Sequence, residues 1–250
     1  MTNYYGTPAS EFINPLDSSD DYIFADDGND TVYGWYGNDF IVGWEGNDQL
    51  HGQMGNDTLW AGNGNDYVTG GEGDDELAGW NDGDALFGGD GNDDLYGDNG
   101  KDLLFGGNGK DLLFGGNDND TLYGENDNDL LYGDNDDDTL HGGDGRDYLY
   151  GGYGNDNLYG ESGNDYLYGG NGINLLSGGS GSDRFVLSTT AFNLIQDFQN
   201  GFDRISGLSF NNVDVYQMGS DTFISDPSRS VTYAVMSNVN AGLITAVDFM

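Results

Sequence analysis

The chain of 250 residues contains no cysteine, and only two histidines, His51 and His141, are present. Without cysteine the chain has no thiol nucleophile and no cysteine-ligated zinc, and the absence fits a chain that is exported without needing disulfides. Neither the HExxH motif of zinc peptidases nor the GxSxG motif of serine hydrolases occurs, since the nearest approach, Gly160 to Asn164, lacks the closing glycine. The sequence therefore predicts that the chain is not an enzyme.

Basic residues are also scarce. Six lysines and arginines face 45 aspartates and glutamates, so the formal net charge is −39, and we expect no nucleic-acid partner. No apolar stretch is long enough to span a membrane. Residues 1–15 lack the basic and apolar regions of a cleaved secretory signal. We also expect no separate catalytic domain, because a repeat array fills most of the chain.

The chain does contain an aspartate at every ninth residue from Asp21 to Asp183, with Asn174 as the exception. Two places after each comes an apolar residue such as Leu50, and glycine lies four or five places before it. The unit reads GGxGxDxUx, where U is a large apolar residue. His51 and His141 both take the ninth place of a unit, where we expect exposed strand side chains rather than metal ligands.

A unit of nine residues cannot bury one apolar side chain alone, so copies must stack. Six residues rich in Gly, Asn and Asp predict a turn, and the last three predict a short strand whose middle residue, such as Leu131, points inward. Two units are expected to make one coil. Residues eighteen apart then lie above one another at about 4.8 Å.

Over residues 16–186 these units resemble the nonapeptide repeats of RTX (hemolysin-type) calcium-binding proteins. The resemblance implies an all-β fold, a right-handed parallel β-roll (β-solenoid) with a C-terminal β-rich cap. It also implies Ca²⁺ as the cofactor, with many ions and about one per repeat. The predicted domains are a leader or N-terminal cap (1–15), the calcium-binding roll (16–186), and a C-terminal cap (187–250).

The coil register sorts the aspartates into two rows. The first row contains Asp21, Asp39, Asp57, Asp75, Asp93, Asp111, Asp129, Asp147, Asp165 and Asp183. The second row contains Asp30, Asp48, Asp66, Asp84, Asp102, Asp120, Asp138 and Asp156, and then Asn174. Carboxylates stacked at this spacing repel by about 1 kcal/mol even in the dielectric of bulk water. Without metal the stack is not expected to hold.

A hard divalent cation between successive coils reverses this repulsion, and carboxylates with turn carbonyls are the oxygen ligands that Ca²⁺ accepts. The eighteen aspartates of the two rows are therefore the predicted metal ligands. One ion per gap gives about 17 sites, which would bring the net charge to about −5, a normal value for a soluble domain. We expect a coil without calcium and β-structure with it.

Some units depart from the consensus. Alanine replaces the first glycine at Ala25 and Ala61, and aspartate replaces the glycine of the fourth place in four units: Asp82, Asp118, Asp127 and Asp136. Aspartate tolerates the left-handed region, so these turns are expected to survive. The sequence leaves open whether the four carboxylates add to the metal sites or crowd them, and whether Asn174 silences or weakens the final gap.

The tail from residue 187 predicts strands at Val213–Tyr216, Thr222–Ser225 and Val231–Val235. Its segment from Ile195 to Ile205 resembles the IxDFxxGxDxI stretch that commonly follows RTX repeats. The ending Val247 to Met250 resembles an uncleaved type I secretion signal. These resemblances imply an extracellular or cell-surface protein that leaves the cell unfolded and condenses in millimolar calcium.

The outer side of the roll suggests partners. From about Leu112 to Tyr168 one sheet face is predicted to be apolar and aromatic, larger than a monomer usually exposes. Aromatic ladders also stabilise sheets without any partner. Trp35, Trp44 and Trp80 fall in turns, where they could extend a sugar-binding surface.

Three functions remain open from the sequence. The first is a secreted calcium-binding structural protein that associates with itself, as a homo-oligomer or filament, into a surface layer or extracellular matrix. The second is an adhesin module that binds a cell-surface polysaccharide. The third is the C-terminal export domain of a larger toxin or exoenzyme.

Overall fold

The computed structural model describes residues 2–15, 19–228 and 230–249. The chain divides into two compact bodies, Met1–Leu130 and Leu131–Met250. The predicted regions include residues that lie outside the described ones: residue 1 of the leader, residues 16–18 at the start of the array, and residues 229 and 250 of the C-terminal cap.

The N-terminal body is built from short parallel strands. They are β1 (Asn3–Tyr5), β2 (Phe12–Ile13), β3 (Tyr22–Phe24), β4 (Thr31–Tyr36), β5 (Phe40–Glu45), β6 (Gln49–Met54), β7 (Thr58–Asn63), β8 (Tyr67–Glu72), β9 (Glu76–Asn81), β10 (Ala85–Asp90), β11 (Asp94–Asn99), β12 (Leu103–Asn108), β13 (Leu112–Asn117) and β14 (Thr121–Asn126). The next strand, β15 (Leu130–Asn135), begins at the last residue of this body.

Successive strands alternate between two sheets. The odd-numbered strands β1 to β13 form one parallel sheet, called sheet A, and the even-numbered strands β2 to β14 form the other, called sheet B. Leu86 lies opposite Val68 on one side and Leu104 on the other. Residues eighteen apart are therefore neighbours, and the predicted parallel β-roll is confirmed.

The strands are longer than the predicted three residues. A typical strand runs from the seventh place of one unit to the third place of the next, as in Leu103–Asn108. Both Leu104 and Gly106 are buried on it. Of the three residues in the predicted strand only the middle one, Leu104, is buried, which confirms that prediction. The glycine of the first place faces inward too, although the sequence predicts it in the turn. The apolar residue of the eighth place is fully buried in each repeat, from Ile23 to Phe185.

The leader forms the first coil of the roll. Strand β1 pairs with β3, and β2 pairs with β4, each in parallel. Here the register is nineteen residues, as in the pair of Tyr4 with Ile23. The leader thus covers the first apolar layer of both sheets, as a solenoid end must.

The C-terminal body continues with the same kind of coil. Its strands are β16 (Thr139–Gly145), β17 (Tyr148–Tyr153), β18 (Asn157–Gly163), β19 (Tyr166–Ser177), β20 (Ser180–Gly181), β21 (Arg184–Val186), β22 (Ala191–Ile195), β23 (Arg204–Ser206), β24 (Asp214–Met218), β25 (Asp221–Ser225) and β26 (Thr232–Met236). Parallel pairs link β17, β19, β21 and β23 in one sheet, and β16, β18, β19, β22 and β26 in the other.

The predicted strands of the tail form the cap. Strands β24, β25 and β26 make an antiparallel meander, which joins the roll through the parallel pair of β26 with β22. Short 3-10 helices lie at Phe210–Asn212, Ala241–Leu243 and Ala246–Asp248. In the part of the chain that the structure describes, no helix has the length and apolar character needed to cross a membrane.

Candidate metal centres

The aspartates of both rows lie inside the roll. Each stands one residue before a strand, and all eighteen side chains are at most 4% exposed. Aspartate is almost never buried to this degree without a partner. The two rows therefore need a source of compensation.

One carboxylate oxygen finds it in the backbone. Within each body the N–H of one aspartate donates to Oδ1 of the aspartate one coil later, as in Asp39 N–H to Asp57 Oδ1 at 2.7 Å and Asp147 N–H to Asp165 Oδ1 at 3.0 Å. The leader supplies the first donors, because the N–H groups of Thr2 and Glu11 bond to Oδ1 of the first aspartate in each row. Within each body an amide–carboxylate ladder thus fixes one side of the carboxylates.

The other oxygen has no protein donor. Oδ2 is buried without a hydrogen-bond partner in Asp21, Asp30, Asp39, Asp48, Asp57, Asp66, Asp75, Asp84, Asp93, Asp102, Asp111, Asp156, Asp165 and Asp183. A buried anionic oxygen in this state is costly unless a cation or a proton meets it. The unpartnered Oδ2 recurs in unit after unit, so it is a regular feature of the repeat.

Where glycine holds the first place of the unit, the oxygen borders a small space that a Cβ would fill. A Cβ built on Gly88 would touch Oδ2 of Asp93 and lie 2.6 Å from the carbonyl oxygen of Gly106, one coil later. The φ angle of Gly88 is not in the left-handed region, so the backbone does not explain this glycine. The same arrangement recurs at Gly151, between Asp156 Oδ2 and the carbonyl of Gly169.

These spaces fit a hard cation. Their borders are a carboxylate oxygen and a backbone carbonyl oxygen, and oxygen ligands of this mixed kind suit Ca²⁺. Among the described residues no three His, Cys, Asp or Glu side chains converge on one point. Backbone oxygens must therefore complete any metal shell here.

Burial also raises the pKa of several carboxyls in the two rows. The pKa reaches about 8 at Asp75, Asp84 and Asp165 and about 7 at Asp39 and Asp66. Loss of water is the largest cause, and neighbouring carboxylates add to it, while the bond from the backbone N–H acts in the opposite direction. A cation beside Oδ2 would favour the charged form.

Asn174 changes the end of the second row. Its Oδ1 accepts from the N–H of Asp156 at 2.9 Å, and this bond fixes the orientation of the amide. Its Nδ2 therefore points into the space beside Gly169 and is buried without an acceptor. An N–H group cannot coordinate a cation, so the geometry favours a silent final gap.

Sequence reasoning missed the side chains that end the rows. Asp203 accepts from the N–H of Asp183 at 3.0 Å, so it continues the first row after twenty residues instead of eighteen. Its Oδ2 accepts from the N–H of Gln199 at 2.7 Å. Asn193 lies beside Asn174 in the second row. The first row thus ends at Asp203, whose Oδ2 has a hydrogen-bond donor, and the second row ends with the side-chain amides of Asn174 and Asn193.

The aspartates of the fourth place stay outside the rows. Asp82, Asp118, Asp127 and Asp136 adopt φ of 74 to 77°, and their side chains are exposed. The expectation that these turns survive is confirmed. Their charge still matters, because Asp82 helps to raise the pKa of Asp66 and Asp84.

The outer faces carry stacked rings. In the N-terminal body Phe105 stacks on Phe87 and Tyr123, with ring centroids 5.0 and 4.8 Å away. In the C-terminal body Tyr132 and Tyr150 stack at 4.9 Å. The rings of the predicted aromatic face are half-buried by this stacking.

Both histidines lie on strands, half-buried rather than exposed as predicted. His51 stacks on Tyr33 at 4.6 Å, and its Nδ1 bonds to the hydroxyl of Thr69. His141 stacks on Tyr159 at 4.9 Å. Their rings thus belong to the ladders of the outer faces.

A family model described as the RTX calcium-binding nonapeptide repeat matches the sequence that forms these rows. It matches residues 17–50, 51–86, 81–113, 105–140, 114–149, 132–167, 141–176 and 159–187. These ranges run without a break from residue 17 to residue 187, which is more than half of the chain. Among curated proteins none matches the chain.

Several solved structures are similar to the chain. Two subunits of the Azotobacter vinelandii mannuronan C5-epimerase are 30% and 25% identical, cover 47% and 48% of this chain and 78% and 90% of their own, and have TM-scores of 0.37 and 0.36. The extracellular lipase LipA of Serratia marcescens is 15% identical and covers 78% of this chain and 44% of its own, with a TM-score of 0.38.

Proposed function

The chain belongs to the RTX calcium-binding nonapeptide repeat family, and on that premise we propose that it is a secreted structural module whose two aspartate rows bind Ca²⁺ and thereby fold it outside the cell. RTX repeats are structural elements that bind Ca²⁺, about one ion per repeat. The observation that carries the proposal for this chain is the recurring buried Oδ2 beside a space that a Cβ would fill. That the module is not an enzyme stays a prediction.

The eighteen aspartates of the rows are the proposed ligands, with turn carbonyls beside them. When bound, calcium would supply the positive charge that each Oδ2 lacks. The chain itself orients the carboxylates through the N–H bonds to Oδ1 and keeps water out by burial. Calcium sites in extracellular modules bind at about 10⁻⁴ to 10⁻³ M, so the module would fold outside the cell and not in the cytoplasm.

Far-ultraviolet circular dichroism tests this directly. We expect a coil spectrum in chelator and a β-spectrum above about 1 mM Ca²⁺. Magnesium at equal concentration is the control, because its strict octahedral shell suits these spaces poorly. A β-spectrum of equal strength in chelator and in calcium would contradict the proposal.

We also propose self-association through the N-terminal end of the roll. Strands β1 and β2 each have one partner strand within the described residues, which leaves an open edge on both sheets. Tyr5 is 71% exposed and Phe12 is 65% exposed at these edges. Exposed apolar edge strands are ready templates for another chain.

Light scattering against calcium tests the association. We expect large particles to grow in calcium without added glycan, and Tyr5→Lys with Phe12→Lys to suppress their growth. Tyr153→Lys is the matched control, because Tyr153 is 66% exposed but lies in the other body. A monomer that changes size only with added polysaccharide would instead support the adhesin function.

Export by type I secretion is a further proposal, and it rests on the ending of the chain. In the folded protein Asp248 is 1% exposed, and its Oδ2 accepts from the N–H of Thr245 at 2.8 Å. Phe249 pairs with Ile205 of β23. A transporter would therefore have to read this segment before the cap forms.

A further inference from the structure

Two tryptophans border a gap on sheet A of the N-terminal body. Trp44, Gly62 and Trp80 occupy the second place of their units and follow one another across three paired strands. Gly62 has no side chain, so the two tryptophans lie on strands that are about 9.6 Å apart, twice the spacing between neighbouring strands.

Other apolar side chains form the floor of this gap. The cleft measures about 190 Å³ and is lined by Phe24, Phe40, Val42, Trp44, Trp60, Gly62 and Trp80. The ring of Trp60 lies 4.9 Å from that of Phe40 and 6.3 Å from that of Trp80. We call this space the tryptophan cleft.

Folding alone does not account for the two indoles at its mouth. Trp44 is 55% exposed and Trp80 is 49% exposed, so neither contributes much to the core. Both have φ of 82°, and a bulky residue in this region costs about 1 kcal/mol or more. Trp35 holds the same place on sheet B, but its indole N–H donates to Asn14 of the leader at 2.6 Å.

Acidic residues neighbour the two tryptophans along the strands and in the sequence. Asp98 pairs with Trp80 on the next strand, and Asp26 lies eighteen residues before Trp44 in the same column. Glu45 follows Trp44 directly and accepts from Nδ2 of Asn63. The first lysine or arginine of the chain is Lys101, so the charge near the cleft is negative.

We propose that the tryptophan cleft binds a small soluble cation that carries a quaternary ammonium group. Such a group is attracted to aromatic faces within about 6 Å. A group above Gly62 would lie about 4.8 Å from the strand of Trp44 on one side and from the strand of Trp80 on the other. It has no N–H or O–H, so it loses no hydrogen bond in a cleft lined only by apolar residues. A sugar would lose hydrogen bonds there. The inference requires the folded module but not its secretion.

Isothermal titration of the calcium-saturated full chain with choline tests this assignment. We expect saturable binding, and we expect Trp44→Ala and Trp80→Ala each to weaken it about tenfold or more, since loss of one cation–π contact of about 1.4 kcal/mol is a factor of ten. Tyr153→Ala is the matched control, an exposed aromatic residue in the other body, and should leave binding unchanged.

The probe 3,3-dimethylbutan-1-ol separates charge from shape, because it replaces the quaternary nitrogen of choline with carbon. We expect it to bind at least tenfold more weakly than choline. Equal binding of the two probes, undiminished choline binding in both tryptophan variants, or no saturation by choline would each overturn the proposal. So would binding of the chain to phosphatidylcholine vesicles but not to choline. Circular dichroism of each variant in calcium reports folding separately, so failure here leaves the calcium proposal intact.

Discussion

Asn174 shows how one atom decides whether a gap in a row can hold an ion. Its Oδ1 does the same work as Oδ1 of the aspartates, but its other atom is a donor that points into the metal space. Asparagine therefore keeps the hydrogen bond of the ladder but lacks the proposed calcium ligand. The fold and the metal site are separable at this residue.

We predict that Asn174→Asp adds one bound calcium ion. Native mass spectrometry in millimolar calcium would count the ions. Asn155→Asp is the matched control, because it adds the same charge in the exposed turn nearby and should leave the count unchanged. An unchanged count in Asn174→Asp would contradict the reading of this gap.

The glycine of the first place is a second test at this scale. Ala25 and Ala61 show that the backbone accepts a Cβ there, since both are fully buried in regular coils. A Cβ at Gly88 would nevertheless occupy the space beside Asp93 Oδ2. The methyl group should therefore act on calcium rather than on the fold.

We predict that Gly88→Ala raises the calcium concentration at the folding midpoint, and that Ala61→Gly lowers it. Calcium titrations followed by circular dichroism would measure both. The paired substitutions control for glycine flexibility, because a purely entropic effect of glycine would destabilise Ala61→Gly. A rise in the midpoint for both variants would refute the steric explanation.

At the scale of the rows, protons would compete with the proposed calcium ions for the same oxygens. The carboxyls titrate near 3.9 in an unfolded chain, but in the roll the pKa lies at about 6 for Asp48 and about 8 for Asp84. Between these values the folded state binds more protons than the unfolded state. The free energy of unfolding of the calcium-free chain therefore falls as pH rises.

We predict that the calcium-free chain gains β-structure when the pH is lowered from about 8 to about 5. In calcium the opposite trend is expected, because protonation removes ligands and shifts the folding midpoint to higher calcium at low pH. Circular dichroism on chain stripped of metal would show both trends. More β-structure at high pH than at low pH in the calcium-free chain would contradict the predicted pH dependence of its stability.

The elements differ in how well the sequence predicts them. The eighteen-residue register follows from the spacing of Asp21 to Asp183, because aspartate and the apolar eighth place stay in phase. The length of the strands could not be predicted, because glycine in the first place carries no apolar signal although it is buried. Asp203 was missed because the interval from Asp183 is twenty residues.

At the scale of the whole molecule, we expect the net charge of −39 to be balanced by bound cations rather than by general salt screening. General screening weakens repulsion among exposed groups such as Asp82 and Asp136, but the rows are buried and need a ligand for Oδ2. Ionic strength and calcium should therefore act differently.

We predict that sodium chloride at about 1 M, where the Debye length is about 3 Å, leaves the calcium-free chain largely unfolded. Small-angle X-ray scattering would compare its radius of gyration with that in millimolar calcium, where a compact value is expected. Compaction by salt equal to that by calcium would show that charge density alone controls folding.

Successive nonapeptides alternate between two sheets, so a nonapeptide and the one after it are not interchangeable in the array. Removal of eighteen residues, such as 88–105, leaves the later strands of the N-terminal body on their own sheets, with each row and each ring ladder joined to its own kind. Removal of nine would join each row and each ring ladder to the other kind at the new junction, while β22 would keep its partners β19 and β26. A full coil, and not the nonapeptide, is therefore the smallest step by which such a chain can lengthen or shorten without joining unlike rows and ladders.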